Sequence, residues 1–274
     1  MTQGYLRAWE TNQRLWVYDR EMHRSFQSQA KSVANETELY SRDVESKLAK
    51  ELDDPAVLAL RSFSEGKPLS PEDRELVARF LFVQWKRTPR ARERVISTMP
   101  AAEGEVEREL LAEIDRAAAL DSEFARRAEG LREQVCRVFR DRTHEERIAL
   151  WQQLVLETTG PLVHQVIKSM NWVLVRAPAN SLLTCDNPMY FHEHEGLGGE
   201  QSELTFPLSP TTALWATRGP IPNGAILKES ASMAREINRR TAHNAARWVF
   251  FSTPQPWIDP FIKKGSWSLN RIRR

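Results

Sequence analysis

The sequence predicts an α+β protein in which a mainly antiparallel sheet, built from strands near both chain ends, packs on a central helical block. Strand-like segments occur near the start of the chain and again after residue 170, and residues 35–170 show mostly helical spacing of apolar residues. An isolated hairpin is marginally stable in water, so the N-terminal strands are expected to join the C-terminal ones. We therefore predict one domain over 1–252, with its strand-rich part at 171–252, and a basic tail over 253–274. A two-domain chain divided near Met170 is the alternative.

The composition is that of a globular protein and excludes several functional classes. Of the 274 residues, 41% are hydrophobic, which is enough for a sizeable core. Lys and Arg total 39 against 37 Asp and Glu, so the net charge of +2 indicates no polyanionic partner. Two cysteines cannot form a thiolate zinc cage. No apolar run approaches the ~20 residues that cross a bilayer, and no signal peptide is recognisable, so we expect a cytoplasmic protein with no membrane partner.

The elements before residue 100 are predicted from turn and capping signals. Tyr5–Trp9 and Arg14–Tyr18 are short strand-like runs around a polar turn, which favours an opening hairpin. Ser70 precedes a proline and an acid at the capping-box position. This pattern predicts a helix over Pro71–Thr88, because the proline that follows disfavours helical geometry at Thr88.

The later elements follow from the same kinds of signal. Ala101–Arg142 predicts one or two long amphipathic helices, and the capping box of Thr143 and Glu146 opens another. The apolar runs Trp172–Val175 and Ser181–Thr184 flank a turn signal and predict a hairpin. The remaining predicted elements are the strands Leu204–Leu208, Thr212–Thr217 and Trp248–Ser252 and the helix Ser230–Arg247.

Several short motifs occur in a fixed order along the chain. They are Tyr5-Leu6-Arg7, Gln84 with Arg87-Thr88-Pro89, Trp172 before Thr184 to Pro188, Phe206 to Pro210, Asn238 with Asn244, and Arg247 to Phe250. In order and spacing they resemble a mostly bacterial, uncharacterised family catalogued as domain of unknown function 4238, over roughly Tyr5 to Ser252. Members usually begin with a His-Tyr-Val-Pro-like segment, whereas this chain begins Met1-Thr2-Gln3-Gly4. A truncated start, lacking that His, is therefore one interpretation. The resemblance implies no established activity and supports only the fold and the candidate positions.

Asp186 is the leading candidate for a functional carboxylate, because it follows a predicted strand and precedes a turn signal. A rigid strand aims such a side chain, and it can bind a metal, act as a base or accept hydrogen bonds from a substrate. Alternatively, the carboxylate accepts backbone N–H groups and only stabilises the turn. Asn187, next in the chain, is a candidate for substrate binding.

Two polar residues lie near the end of the helix predicted from Pro71. Gln84 continues the apolar stripe that carries Val77 and Phe80, so its amide is expected to face inward, where an unpaired group costs about 1–3 kcal/mol. It contacts a substrate or bonds to a neighbouring backbone group. Arg87 can clamp a phosphate or carboxylate with its planar fork. Alternatively, it pairs with one of the many acids.

Asn238 and Asn244 are expected to point inward from the late helix. Asn is a poor helix former, so two inward-facing Asn residues in one helix are unusual. Together with the candidates above, they would form one polar pocket between helix and sheet and would bind substrate. Alternatively, they hydrogen-bond the helix to the sheet.

Acidic and histidine pairs are the candidate metal ligands. Glu38 and Glu45 are seven residues apart and share a helix face, so together with Asp186 they suit a divalent cation such as Mg²⁺. The alternative for these glutamates is a solvated acidic face. His192 and His194 share a strand face but lack the further ligands of a cupin-like site.

These residues support functions of different classes. The first is a hydrolase that is nuclease-like or acts on a phosphate-bearing substrate. In this hypothesis Asp186 holds a divalent metal together with Glu38 or Glu45, and Arg87 stabilises the negative charge that develops on the substrate. Gln84 and Asn244 would position the small-molecule or nucleic-acid substrate. The second is a non-catalytic module that binds a nucleotide, another small ligand or a protein. In a third, the polar residues only tie helices to the sheet.

The basic tail, which contains Trp267, contacts nucleic acid by charge and stacking or is an unstructured solubilising segment.

Overall fold

The computed structural model of the chain describes residues 2–34, 42–140, 142–156, 163–192 and 196–272. The strands are β1 (Leu15–Asp19), β2 (Arg24–Ser28), β3 (Asn171–Arg176), β4 (Thr184–Cys185), β5 (Tyr190–Phe191), β6 (Glu203–Ser209), β7 (Thr212–Thr217), β8 (Ile226–Leu227) and β9 (Trp248–Phe251). The helices are α1 (Gln3–Leu6), α2 (Ala30–Ala34), α3 (Arg42–Leu48), α4 (Asp54–Ser64), α5 (Pro71–Lys86), α6 (Pro89–Leu120), α7 (Ser122–Arg140), α8 (His144–Leu156), α9 (Val163–Ser169), α10 (Ala231–Asn244) and α11 (Ile258–Lys263). Arg7–Trp9 forms a 3-10 turn and Ala49–Asp53 a π-helical turn.

Strands from both chain ends form one antiparallel sheet, which confirms the predicted α+β class. Its order is β2-β1-β9-β4. Val17 of β1 lies opposite Phe26 of β2 on one side and Phe250 of β9 on the other. Thr184 of β4 extends the sheet by pairing with the same Phe250. A second sheet has the order β5-β6-β7-β3-β8 and is antiparallel except for the parallel pair β3-β8.

The predicted N-terminal hairpin is wrong in its position. Tyr5–Trp9 is helical in the structure, because Tyr5, Leu6 and Trp9 bury their side chains at helical rather than alternating spacing. The hairpin is formed instead by β1 and β2, one segment later in the chain.

The predicted hairpin of Trp172–Val175 with Ser181–Thr184 is also wrong. β3 pairs with β7 and β8 in the mixed sheet, whereas β4 pairs with β9 in the other sheet. The segment between them finds different partners. The N–H of Leu183 donates to the Asn238 side chain at 2.9 Å, and the N–H of Leu182 donates to the Pro210 carbonyl at 3.1 Å. Turn residues alone did not decide which strands pair.

Two predicted capping patterns are confirmed. The Ser70 hydroxyl accepts from the N–H of Asp73 at 3.0 Å, and α5 runs to Lys86 with Arg87 as its C-cap. The capping box before α8 is reciprocal. Thr143 N–H donates to the Glu146 carboxylate at 2.7 Å, and Glu146 N–H donates to the Thr143 hydroxyl at 3.2 Å. Local hydrogen-bonding chemistry therefore fixes where these helices begin.

The C-terminal segment is folded and packs on the core, unlike the unstructured tail that its composition allows. Ile258 and Ile262 of α11 join a buried cluster with Tyr18 and Val249. Ile272 belongs to another cluster, beneath the mixed sheet, that includes Trp215. These apolar residues, spaced along a polar sequence, supply the buried area that holds the segment in place.

The described residues divide into two compact units. One consists of residues 1–88 and 156–274 and contains both sheets; the other, residues 89–155, contains α6, α7 and most of α8. In the helical unit Glu103 is buried and bonds to Arg142 and Arg147. The single domain over 1–252 stays a prediction. Among the described residues, no helix combines the length and the apolar character that crossing a bilayer requires.

Candidate functional site

Arg87 is buried at the end of α5, and the described residues pair with one edge of its guanidinium. Its Nη1 donates to the two oxygens of Asp53 at 3.1 and 2.8 Å, so the ion-pair alternative for this residue is observed. Its Nε and Nη2 are also buried, and they have no hydrogen-bond partner within the described residues. The Nε–Nη2 edge is a planar fork that matches a carboxylate or a phosphate bidentately. The guanidinium is thus held from one side and unmatched on the other.

Gln84 lies one turn before Arg87 on the same helix and is 3% exposed. Its Oε1 and Nε2 are both buried and are unpaired within the part of the chain that the structure describes. The alternative of a bond to a neighbouring backbone group is therefore not observed. Leaving a buried polar group unpaired costs about 1–3 kcal/mol, and most buried polar atoms in proteins are satisfied. Gln84 and Arg87, one turn apart, thus carry four buried polar atoms that no described residue satisfies.

Asp53 completes this group and escaped the sequence analysis. It ends the π-helical turn before α4 and is 7% exposed. Burial raises the pKa of its carboxyl, and the pairing with Arg87 only partly opposes that rise. A π-helical turn and a carboxyl with a raised pKa are both features that concentrate at functional sites. The only sequence signal was Asp53 itself ahead of Pro55, and it could equally mark an ordinary helix start.

Aromatic rings lie beside Gln84. Phe80, one turn earlier on α5, meets Phe206 edge-on with ring centroids 6.3 Å apart. Tyr5 packs on the same Phe206 at 4.9 Å and on Trp9 at 5.2 Å. Trp9 is fully buried, and its Nε1 has no partner in the described ranges. These rings form an apolar cluster that α5 joins through Phe80, one turn before Gln84.

Asp186 is held by backbone groups at the start of β9. Its Oδ1 accepts from the N–H of Ala246 at 2.8 Å, and its Oδ2 accepts from the N–H of Arg247 and of Trp248 at 2.7 and 2.9 Å. Burial nevertheless raises the pKa of this carboxyl, since desolvation outweighs the three donors. The alternative of a carboxylate that accepts backbone N–H groups is observed, but it ties β4 to β9 rather than stabilising its own turn.

Asn238 and Asn244 of α10 hydrogen-bond to backbone groups of the segments that flank β4. Asn238 accepts from Leu183 N–H at 2.9 Å and donates to the Ser181 carbonyl at 2.6 Å. Asn244 donates to the carbonyls of Asn187 and Met189 at 2.7 and 2.8 Å. Both asparagines therefore tie α10 to the irregular segments on either side of β4.

Asn187 differs from the other two asparagines. It is 3% exposed, and its Oδ1 has no partner among the described residues. Its backbone carbonyl is held by Asn244. Asn238 is therefore paired at both ends and Asn244 at its amide nitrogen, whereas the Oδ1 of Asn187 is an unused acceptor within the described residues.

The metal candidates do not converge in the described part of the chain. No group of three or more His, Cys, Asp or Glu side chains arranged to hold an ion occurs there. Glu45 is exposed. Glu38 and His194 lie outside the described residues. Their predicted metal roles stay predictions.

The candidate residues thus fall into two groups. Asp186, Asn187 and Asn244 lie together around the junction of β4, β9 and α10. Gln84 and Arg87 lie with Asp53 at the end of α5. Within the described ranges, no hydrogen bond or ion pair joins the two groups. Among the described residues, the end of α5 carries four buried unpaired atoms and the group around Asp186 carries one, on Asn187, so we take the end of α5 as the candidate site.

Comparison with known proteins gives a family and no activity. A family model described as "Protein of unknown function (DUF4238)" matches residues 2–255. No curated protein and no solved structure matches the chain. The matched range includes Asp53, Gln84, Arg87 and Asp186, and it ends within the C-terminal segment before α11.

Proposed function

Since the chain belongs to the DUF4238 family, whose description assigns no activity, we propose from its own residues that it binds a small molecule bearing a phosphate or carboxylate group at Arg87 and Gln84. One observation carries the proposal: the Nε–Nη2 edge of Arg87 is buried and unpaired within the described residues. A buried guanidinium edge is costly unless an acceptor meets it, and an oxyanion supplies two acceptors in the matching geometry.

The surrounding residues support a preorganised site for such a ligand. Asp53 holds Nη1 and fixes the plane of the Arg87 guanidinium, so little side-chain entropy is lost on binding. Gln84 offers one donor and one acceptor a turn away. The ligand therefore carries a hydroxyl or amide near its anionic group, and a bare anion binds more weakly.

Thermal unfolding in the presence of anions tests the proposal. The probes are inorganic phosphate and glycerol 3-phosphate, with sodium chloride of equal ionic strength as reference. A ligand that binds only the folded state raises Tm in proportion to the logarithm of its concentration. We expect glycerol 3-phosphate to raise Tm more than phosphate, and Arg87→Lys to remove most of the rise, because Lys keeps the charge beside Asp53 but loses the fork.

The matched control is Arg90→Lys, which changes an exposed arginine three residues along the chain. It should leave the anion effect unchanged. Absence of any anion effect in the wild type, or an equal effect in Arg87→Lys, would overturn the proposal.

A hydrolase acting on a phosphate-bearing substrate is the second candidate, and the raised pKa of Asp53 favours it. A carboxyl that keeps its proton nearer neutral pH can donate it to a leaving group or accept one from water. Arg87, in contact with Asp53, would stabilise the negative charge that develops. In this candidate the substrate is a small phosphate ester or a nucleic acid.

One version of the hydrolase hypothesis requires a divalent cation such as Mg²⁺, bound by Asp186 with Glu38 or Glu45. The residues fit it poorly, because both Asp186 oxygens already accept backbone hydrogen bonds with which a cation would compete. We therefore derive no catalytic step through a metal.

Integrity of total DNA and RNA after induction in a bacterial host tests the nuclease form, with wild type, Asp53→Asn and Asp186→Ala compared at equal soluble yield. Degradation by wild type alone would support a nuclease and require both carboxyls. Loss of degradation in Asp53→Asn only would place the chemistry at the end of α5. Intact nucleic acid in every strain would exclude the nuclease and leave the small-molecule ligand.

A further inference from the structure

The C-terminal segment and α10 enclose a cleft on the first unit, away from the end of α5. Its volume is about 460 Å³, which lies within the range of small-molecule sites in proteins. α10 contributes Arg235 and Arg239, which are four residues apart and therefore on one helix face. α11 and the residues after it contribute the opposite wall.

That opposite wall is aromatic. Trp257 meets Phe261 edge-on with ring centroids 5.7 Å apart, and Phe261 meets Trp267 at 5.5 Å. The indole Nε1 of Trp257 is fixed by the Gln255 side chain at 2.6 Å. The three rings are half-buried, so each keeps an accessible part. The Nε1 of Trp267 is shielded from solvent and has no partner in the described part of the chain.

The charge of the cleft is one-sided, although the whole chain is nearly balanced. Three cationic side chains line it, namely Arg235, Arg239 and Lys264, and its described lining contains no carboxylate. Arg239 contacts Glu236, which does not line the cleft, at 3.4 Å. A concave surface with cations of one sign and no acid concentrates anions.

Aromatic faces beside cationic side chains match one ligand chemistry: a flat heteroaromatic ring that carries a negative charge. Bases stack on aromatic side chains whatever their identity, and Arg and Lys neutralise the phosphate. We infer that this cleft binds a nucleobase bearing a phosphate, as a free mononucleotide or as the exposed nucleotide of a single strand. Its volume of about 460 Å³ is large enough for one nucleotide. The inference is independent of the site at Arg87.

Calorimetric titration of the full chain tests the inference. The probes are AMP, adenosine, inorganic phosphate and a ten-residue oligothymidylate. We expect AMP to bind at least about tenfold more tightly than adenosine or phosphate alone, since stacking and charge act together. Tight binding of the oligonucleotide with weak binding of AMP would identify a single strand as the source of the nucleotide. No binding of either at millimolar concentration would overturn the inference.

Two matched pairs of variants locate the site. Lys264→Glu should weaken AMP binding about tenfold or more, whereas Lys263→Glu, the same change at an exposed neighbour that does not line the cleft, should not. Trp267→Ala should weaken binding similarly, and Trp267→Phe should retain most of it because a stacking face remains.

The site must also be separable from the proposed anion site. Arg87→Lys should leave AMP affinity in the cleft unchanged. Equal weakening by Lys263→Glu and Lys264→Glu, or loss of AMP binding in Arg87→Lys alone, would contradict binding in the cleft. Failure of the anion proposal would instead appear as an unchanged anion effect in Arg87→Lys.

Discussion

Buried amides in this protein differ in whether their hydrogen bonds are made. Asn238 uses both ends of its side chain to pair with Ser181 and Leu183, whereas both ends of Gln84 are unpaired in the described residues. The first arrangement stabilises the fold, and the second costs free energy unless a ligand is bound. The difference gives each residue a distinct signature in stability measurements.

We expect Gln84→Met to raise the free energy of unfolding of the ligand-free protein by about 1 kcal/mol, because a side chain of similar volume replaces unpaired polar atoms. The same substitution should abolish the anion-dependent rise in Tm. Urea denaturation measures the first effect, and Asn238→Leu is the control, which should lower stability. A clear loss of stability in Gln84→Met would show that the amide is satisfied in solution.

Asp186→Ala should lower the free energy of unfolding by about 2–5 kcal/mol, because it leaves three N–H groups at the start of β9 without their acceptor. Asp54→Ala, at an exposed carboxyl, is the control and should change stability by less than about 1 kcal/mol. Denaturant titration of both variants gives the comparison. Stability near that of the wild type would show that these hydrogen bonds contribute little.

Sequence spacing correctly predicted that Gln84 faces inward, because a residue at helical spacing from buried apolar residues lies on the same buried face of the helix. It could not find Asp53, since a π-helical turn shifts side chains out of the usual helical register. It also could not separate the group around Asp186 from the group around Arg87. That separation depends on which strands pair.

α5 connects the capping chemistry at one end to the candidate site at the other. Its first turn is fixed by Ser70, and its last turn carries Gln84 and the C-cap Arg87. The helix was predicted nearly to its observed bounds because the caps are local signals. The Ser181–Thr184 run was given the wrong partner because β4 pairs with β9, far along the chain, and a local turn signal carries no information about such a partner. The predicted joining of the N-terminal strands to the C-terminal ones is confirmed by the pairing of β1 with β9.

Ser70→Ala should lower the free energy of unfolding by about 0.5–2 kcal/mol through loss of the cap to Asp73. Glycerol 3-phosphate should still raise Tm by the same amount, since Arg87 lies at the far end of α5. Ser64→Ala, at a serine that caps no helix start, is the control. Loss of the anion effect in Ser70→Ala would mean that the two ends of α5 are coupled.

At the scale of the whole molecule, buried carboxyls make stability depend on pH. The pKa of Asp53 is raised in the folded protein, so the folded state holds the proton more tightly than the unfolded chain does. The stability that this proton contributes is complete below the ordinary Asp pKa, about 4, and is lost as pH rises through the folded-state value.

We therefore expect the unfolding free energy of the wild type, measured relative to Asp53→Asn, to fall from acid toward neutral pH. Asn cannot titrate, so the difference isolates this carboxyl from all others. Urea titrations in steps from pH 4 upward measure it. A difference that rises with pH would mean that the pairing with Arg87 outweighs burial.

The pairing of β1 with β9 has a consequence for biosynthesis. Val17 of β1 cannot pair with Phe250 of β9 until the ribosome has added roughly 230 more residues. At about 5–20 residues per second this takes about 10–50 s. During that interval the β1–β2 hairpin exposes an open edge and its apolar face. Nascent chains stalled before residue 248 are therefore expected to recruit chaperones. Slower translation should lengthen the time for which chaperones stay bound to the nascent chain.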